Sequence, residues 1–307
     1  MGHPSLLVPA ALRGRPFTLA EGRAAGLADR VLDGPALRRP TRGVRTTESA
    51  PSPTDVLARC RELVAVLPAD AVFSHATGLD LLGIDRPRGL LRPDDVHVEV
   101  PHTTRRPRRH GVTSHSRVTS GSQPVVLRGG LPVLPPARLW TQLAAELDEV
   151  ELVVLGDALL RRRDARANLH ELARAVGRLP PGTRGLRRLR LALPLLRAGT
   201  DSCQETRLRL VLVGSGLPCP QVNRPVLDSA GRFVALPDLS YPEQRVAVEY
   251  DGDVHRTDPR AWRRDVARHQ ALEHLGWRQI TCTADDVRDP RRSVTWIRAA
   301  LARTAAR

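Results

Sequence analysis

The sequence predicts an α/β core at the C-terminus, a mixed sheet flanked by helices. An α+β region precedes it and opens on a small winged, helix-turn-helix-like module. Three observations predict this. From Thr200 the apolar pattern runs helix, strand, strand, strand, helix, strand, helix. Residues 54–135 alternate helical spacing with short Val-rich runs. Residues 17–48 hold two short helical segments followed by an extended basic stretch. With 307 residues and 41% hydrophobic content, the chain can bury two or three cores. Aromatics are 3%, so those cores rest on Leu, Val and Ala.

The expected organisation has four parts: a module at 1–48, an α+β middle region at 49–135, a helical connector at 136–199 and a final domain at 200–307. In the first, Phe17-Thr18-Leu19-Ala20-Glu21 supplies a staple and cap for a helix over Ala20–Gly26, and a second helix covers Ala28–Leu32. Leu37–Arg45 is an extended basic wing carrying Arg38, Arg39 and Arg42. A DNA-binding module and an ordinary capping subdomain both fit this pattern. Ser49–Pro53 is a Pro-rich joint.

In the middle region, Val56, Leu57, Cys60, Leu63, Val64 and Leu67 predict a helix over Thr54–Leu67, and Ser74–Leu82 predicts another. Val96–Val100, Val112–Val118, Val125–Leu127 and Val133–Leu134 predict a small antiparallel sheet. The basic loop Arg105-Arg106-Pro107-Arg108-Arg109-His110 lies between two of these strands. It is either a solvated turn or a phosphate contact. Helices are expected at Ala137–Leu147, Val150–Arg162, Leu169–Val176 and Gly185–Leu196, with a boundary near Gly199.

The last domain carries the chemistry. Ser202 is a helix N-cap with Glu205 at the capping-box position. Ser229-Ala230-Gly231 joins two strands, and Tyr241–Arg245 is a second turn. In the strand Val246–Asp251, alternation puts Val246, Val248 and Tyr250 on one face and Ala247, Glu249 and Asp251 on the other. Asp238 ends the preceding strand, and an antiparallel pairing is expected to need a bulge or bent turn to bring it alongside Glu249. If they converge, each pair at ~4 Å repels by roughly 4 kcal/mol at an effective dielectric near 20. A cation, an arginine or a raised pKa must offset that. Oxygen ligands point to Mg²⁺ or Mn²⁺; surface carboxylates paired with arginine are the competing reading. Asp258-Pro259 starts a helix over 259–275 whose buried face holds Trp262, Val266 and Leu272. Ile280 lies on a strand, and Val294, Ile297 and Leu301 stripe the last helix.

The net charge of +15 points to a polyanionic partner, DNA first, although a high-GC genome also raises arginine content. The chain has no lysine, so all 48 basic residues are arginine, suited to phosphate but unable to act as a general base. Cys60, Cys203, Cys219 and Cys282 form no CxxC pair, which argues against a zinc knuckle or disulfide framework. With no signal-type start and no membrane-length apolar run, a cytoplasmic protein without membrane contact is expected.

Leu236-Pro237-Asp238 followed by Glu249-Tyr250-Asp251-Gly252-Asp253-Val254-His255 resembles the PD-(D/E)XK endonuclease superfamily, and more closely its very-short-patch-repair-like actinobacterial members. Glu205, the pair Asp265 and Arg268, and Gly276-Trp277 extend the likeness over residues 200–305. Phe17–Val44 and Ser74-His75-Ala76-Thr77-Gly78-Leu79 more weakly resemble AbiEi-type antitoxins with a winged helix. The resemblance implies a restriction-endonuclease-like core that hydrolyses DNA phosphodiesters. Asp238 and Glu249 are the expected metal ligands. Glu205, Asp251 and His255 complete the expected catalytic set, and Asp251 stands where the superfamily often has lysine. Arg38, Arg39, Arg42, Arg105, Arg106, Arg108, Arg109 and Arg268 are the expected nucleic-acid contacts, Arg268 with an internal pairing to Asp265 as its alternative. The rival reading is a catalytically inactive DNA-binding regulator of antitoxin type; an RNA nuclease and a homodimer are both compatible with the sequence.

Overall fold

Apolar patterning closes the chain around separate cores, within two units that span Met1–Leu143 and Ala144–Arg307. The structure is a computed structural model and describes residues 8–52, 54–90, 95–117, 125–252 and 259–305. It is a mixed α/β chain.

In the first unit, β1 (Phe17–Thr18) leads into α1 (Leu19–Ala24) and α2 (Asp29–Leu32), and β2 (Val44–Arg45) returns antiparallel to β1. Thr18 and Glu21 form the reciprocal capping box that starts α1. Val8, Leu12, Phe17, Leu27, Leu32 and Leu37 form the core beneath. Then come α3 (Val56–Val64), β3 (Val72–Phe73), α4 (His75–Leu82), β4 (Val96–Pro101), β5 (Val112–Arg117), β6 (Val126–Arg128), β7 (Leu131–Val133) and α5 (Pro136–Leu143). Gly78 lets α4 approach α5 closely, since a Cβ there would lie 2.5 Å from Leu139 Cδ2.

The sheet order is β5-β4-β3-β7-β6. It is mixed and not the antiparallel sheet expected, because β4 runs parallel to β5 and β3 parallel to β7. Alternation reveals which face a residue takes but not strand direction. A parallel neighbour needs a connection that carries the chain back along the strand, and the basic loop containing Arg105–His110 does this between β4 and β5. The strand β3 is too short to announce itself by alternation.

The second unit begins with α6 (Glu149–Leu159), α7 (Leu169–Gly177) and α8 (Leu186–Ala192), followed by α9 (Cys203–Gly214). The segment 136–199 is therefore not one connector: α5 belongs to the first unit and the other helices to the second. Gly199 is no boundary, since its N–H donates to Leu160 O at 2.9 Å and its carbonyl accepts from Asn223 Nδ2 at 3.0 Å. Two ion pairs tie α6 to α9. Arg207 grips Glu151 bidentately at 2.9 and 2.7 Å. Asp157, fully buried, accepts from Arg209 at 2.8 Å, from Thr206 Oγ1 at 3.0 Å and from the Arg197 N–H at 2.8 Å.

The chain continues through β8 (Gln221–Val222), β9 (Val226–Leu227), β10 (Phe233–Ala235), β11 (Leu239–Tyr241), β12 (Val246–Tyr250), α10 (Pro259–His274), β13 (Arg278–Cys282), α11 (Ala284–Arg288) and α12 (Arg291–Ala305). The sheet order is β13-β12-β11-β8, with β12 parallel to β13 and antiparallel to β11. Leu208 and Leu212 of α9 and Val294, Ile297 and Ala300 of α12 bury one sheet face against Leu239, Val246, Val248 and Ile280. On the opposite face Leu272 of α10 packs with Ala247 and the β9–β10 hairpin.

Removing one partner of a buried ion pair strands the other's charge. Asp157→Ala is expected to lower stability in urea titration by roughly 3–5 kcal/mol, and Asp157→Leu with Arg209→Met by far less. Loss of under about 1 kcal/mol in Asp157→Ala would show that the pair does not hold α6 to α9.

Candidate carboxylate site

The pairing of β11 with β12 builds the site directly. Leu239 faces Val248 and Tyr241 faces Val246, so continuing the register by one step sets Asp238 opposite Glu249. The bulge or bent turn expected from the sequence is not needed: the four residues Pro242–Arg245 between the strands already supply this register. Asp238 Oδ2 accepts from the Tyr250 N–H at 2.7 Å. Glu249 is 8% exposed and pairs with Arg268 at 3.8 Å. Arg268 stands one helical turn before Leu272, on the α10 face that meets Ala247, which explains why it reaches a side chain two residues along β12. The described partner of Arg268 is thus Glu249; the side chain of Asp265 lies outside the described residues.

Glu205 arrives from the first turn of α9. Ser202 Oγ accepts from the Glu205 N–H at 3.2 Å, so the N-cap forms. The carboxylate does not close the box on Ser202; its Oε2 accepts from the Asp201 N–H at 3.0 Å and Asn223 Nδ2 at 2.9 Å. Asn223 also donates its backbone N–H to Asp238 O at 3.0 Å, joining the two acidic residues. Sequence reasoning missed Asn223. Its signal was turn chemistry, since its φ of 43° is a left-handed conformation that Asn tolerates better than most residues.

Burial, reinforced by the Glu249 and Glu205 charges, pushes the Asp238 carboxyl up to about 7, against the opposing pull of the Tyr250 N–H and Arg268. The mutual repulsion anticipated from the sequence thus adds to a shift that burial leads. Asp251 is half-buried beyond the end of β12, and its N–H donates to Cys282 O at 2.8 Å. His255 lies outside the described residues, as does the side chain of Trp262. Among the described residues, no three of these acidic groups bring ligand atoms within 4.8 Å of one another; the arrangement is a facing pair, Asp238 and Glu249, with Glu205 at its side.

The candidate nucleic-acid residues separate into two sets. Arg42 with Arg105, Arg106, Arg108 and Arg109 lines an open cleft of about 930 Å³ in the first unit, and Arg109 donates to Arg42 O at 2.9 Å. Arg38 is instead held by Glu62 and by Glu48 O, and Arg39 by Asp33. These two guanidiniums stiffen their own segment.

Fold and site together define a two-unit mixed α/β protein with a carboxylate pair, Glu249 buried and Asp238 half-buried, at the end of a sheet hairpin. The chain belongs to the family of Rv2248 of Mycobacterium tuberculosis strain ATCC 25618 / H37Rv, described as an uncharacterized protein, being 30% identical to it over 236 residues that cover 76% of this chain and 82% of that one. The uncharacterized protein MT2308 of strain CDC 1551 / Oshkosh matches over the same length at the same identity. The crystal structure of RV2827C protein from Mycobacterium tuberculosis is similar at a TM-score of 0.42 and 18% identity, covering 73% of this chain and 87% of that one. No family model matches the chain. Among the described residues, no helix is long and apolar enough to cross a membrane.

With its pKa raised from 3.8 to about 7, Asp238 keeps a proton in the folded chain that the unfolded chain releases. Its contribution to stability is full below about pH 4 and is lost as pH rises to about 7. Chemical denaturation in chelator at several pH values is expected to show this loss in the wild type and a flatter profile in Asp238→Asn. Parallel profiles would contradict the raised pKa.

Proposed function

We propose that this protein is a metal-dependent DNA endonuclease with a restriction-endonuclease-like second unit and a DNA-binding first unit that includes a winged-helix-like module. The observation that carries this reading is the Asp238–Glu249 pair, set face to face by strand register, with burial and then the Glu249 charge pushing the Asp238 carboxyl up to about 7. An all-oxygen donor set suits Mg²⁺ or Mn²⁺, and two carboxylates match the way Mg²⁺ is held when substrate phosphate supplies further ligands. Neutralising that repulsion is what a bound dication does.

Asp238 and Glu249 would hold the ion, which supplies a more acidic attacking water and offsets charge on the phosphate. The chain's own groups do the rest. Glu205, fixed by Asn223, adds negative charge beside Asp238. Arg268, beside Glu249, offers a guanidinium to a phosphate oxygen. With no lysine anywhere and Asp251 in the place that superfamily members often give to one, proton removal is assigned to His255 when it is not left to the metal. The cleft of Arg42, Arg105, Arg106, Arg108 and Arg109 supports phosphate-backbone contact.

The second reading is a DNA-binding regulator of antitoxin type with no catalysis. The absence of lysine favours it, as does the way Tyr250, Asn223 and Arg268 already bond the acidic groups. Plasmid incubation with Mg²⁺ or Mn²⁺ separates the two. The nuclease reading expects nicking that Glu249→Ala reduces roughly 100-fold or more. Absence of nicking across supercoiled, linear and single-stranded DNA would remove it, and cleavage of RNA alone would change the substrate.

Salt-titrated gel shifts test the arginine cleft. Changing Arg42, Arg105, Arg106 and Arg108 together to Ala is expected to weaken binding and to reduce the slope of log K against log salt by roughly 3–4, about 0.9 per phosphate contact. An unchanged slope would move DNA binding elsewhere.

A further inference from the structure

Three histidines widely spaced along the chain meet within the first unit. His75 opens α4, His97 lies on β4 and His115 on β5. In the parallel register His97 faces Thr113 and Glu99 faces His115, so His97 and His115 are diagonal neighbours on one sheet face. His97 Nδ1 and His115 Nε2 lie 3.0 Å apart. The rings of His75 and His115 stack with centroids 3.7 Å apart. One ligand nitrogen from each of the three lies within 4.8 Å of the others, and among the described residues this is the one such group of His, Cys, Asp or Glu.

Several contacts fix the segments that carry these rings. His75 has φ of 50°, a left-handed conformation that costs a non-glycine residue of order 1 kcal/mol and persists where surrounding contacts impose it. Those contacts are present: the Ser74 N–H donates to His97 O at 3.1 Å, and the His75 N–H donates to Gln142 Oε1 at 3.3 Å. Gln142 Nε2 in turn donates to Glu99, the buried register partner of His115. These bonds fix the backbone that carries His75 and His97, and His75 Nδ1 lies 3.0 Å from Ser74 Oγ, a hydrogen bond to one ring nitrogen of the kind that orients an imidazole and leaves its other nitrogen for a metal. A tetrahedral ion with Zn–N bonds of about 2.0–2.1 Å holds its nitrogens roughly 3.3 Å apart, close to the spacing that His97 and His115 already have.

We propose that His75, His97 and His115 form a binding site for one borderline transition-metal dication of the Zn²⁺ type, with a fourth coordination position left to water or an exogenous ligand. Three imidazoles select Zn²⁺, Co²⁺ or Ni²⁺ over Mg²⁺. The site is separate in residues and in metal preference from the carboxylate pair and does not rest on the nuclease reading.

The test uses the full chain, stripped with chelator and then titrated with Zn²⁺ by calorimetry and with Co²⁺ by visible absorption. The expected result is one tight ion per chain and the intense d–d absorption of a four-coordinate Co²⁺ site. His97→Ala and His115→Gln are each expected to lower Zn²⁺ affinity by at least about 10- to 100-fold. Circular dichroism of the metal-free variants confirms that they fold, and Glu249→Ala retains the Zn²⁺ affinity. Absence of stoichiometric binding, a weak six-coordinate Co²⁺ spectrum in the wild type, or undiminished affinity in both folded histidine variants would each overturn the proposal.

Discussion

The register between β11 and β12 is the constraint on which the carboxylate site depends. Leu239, Tyr241, Val246 and Val248 must enter the core under α9 and α12. A slip of one residue would turn all four toward the other face. Burying side chains of this size is worth about 1.5–3 kcal/mol each, well beyond the cost of bringing two carboxylates together in a partly polar site. The apolar face therefore decides the pairing, and Asp238 and Glu249 meet because they occupy the alternate positions. Their repulsion is a consequence of core packing, held in check by the Tyr250 N–H, by Arg268 and by a retained proton.

The third acidic group depends on a different set of forces. Glu205 stands where it does because α9 is tied to α6 through Asp157–Arg209 and Glu151–Arg207. Burial pushes the Asp157 carboxyl upward, and Arg209 beside it pulls the other way. Such a pair adds little net stability compared with apolar side chains of the same shape, but it cannot be half removed. Asp157 also bonds Thr206 and the Arg197 backbone, so a single buried carboxylate orients both the helix start and the segment leading to it.

The first unit follows the same logic through strand direction. Because β4 and β5 are parallel, the chain must travel back between them, and the connection carries Arg105–His110 to the cleft where Arg42 stands. The same parallel pairing sets His97 diagonal to His115 on one face. An antiparallel hairpin would have shortened the basic loop and changed which side chains of the two strands are neighbours.

Much of this was legible locally. Helical spacing located most helices to within a few residues, Ser202 capped α9 as its side chain requires, and Ser229-Ala230-Gly231 turned β9 into β10. Alternation along Val246–Tyr250 placed Glu249 opposite in face to Val248. These features depend on interactions spanning four residues or fewer, which the order of residue types encodes. What lay beyond that range was read less well. The short β3 and α11 carry too few residues for a periodic signal, and alternation, being blind to direction, does not separate the mixed sheet from an antiparallel one. Glu205 was expected to close a capping box, but Asn223, eighteen residues later, receives its carboxylate. By itself the sequence determined the apolar faces, the caps and turns, the all-arginine basic charge and the candidate acidic residues. Only the tertiary structure decided that Asp238 faces Glu249, that Asp157 holds Arg209, and that His75, His97 and His115 share one site. The physical reason is that strand pairing and helix docking bring together residues tens of positions apart, and their energies depend on distance and burial that no local pattern contains.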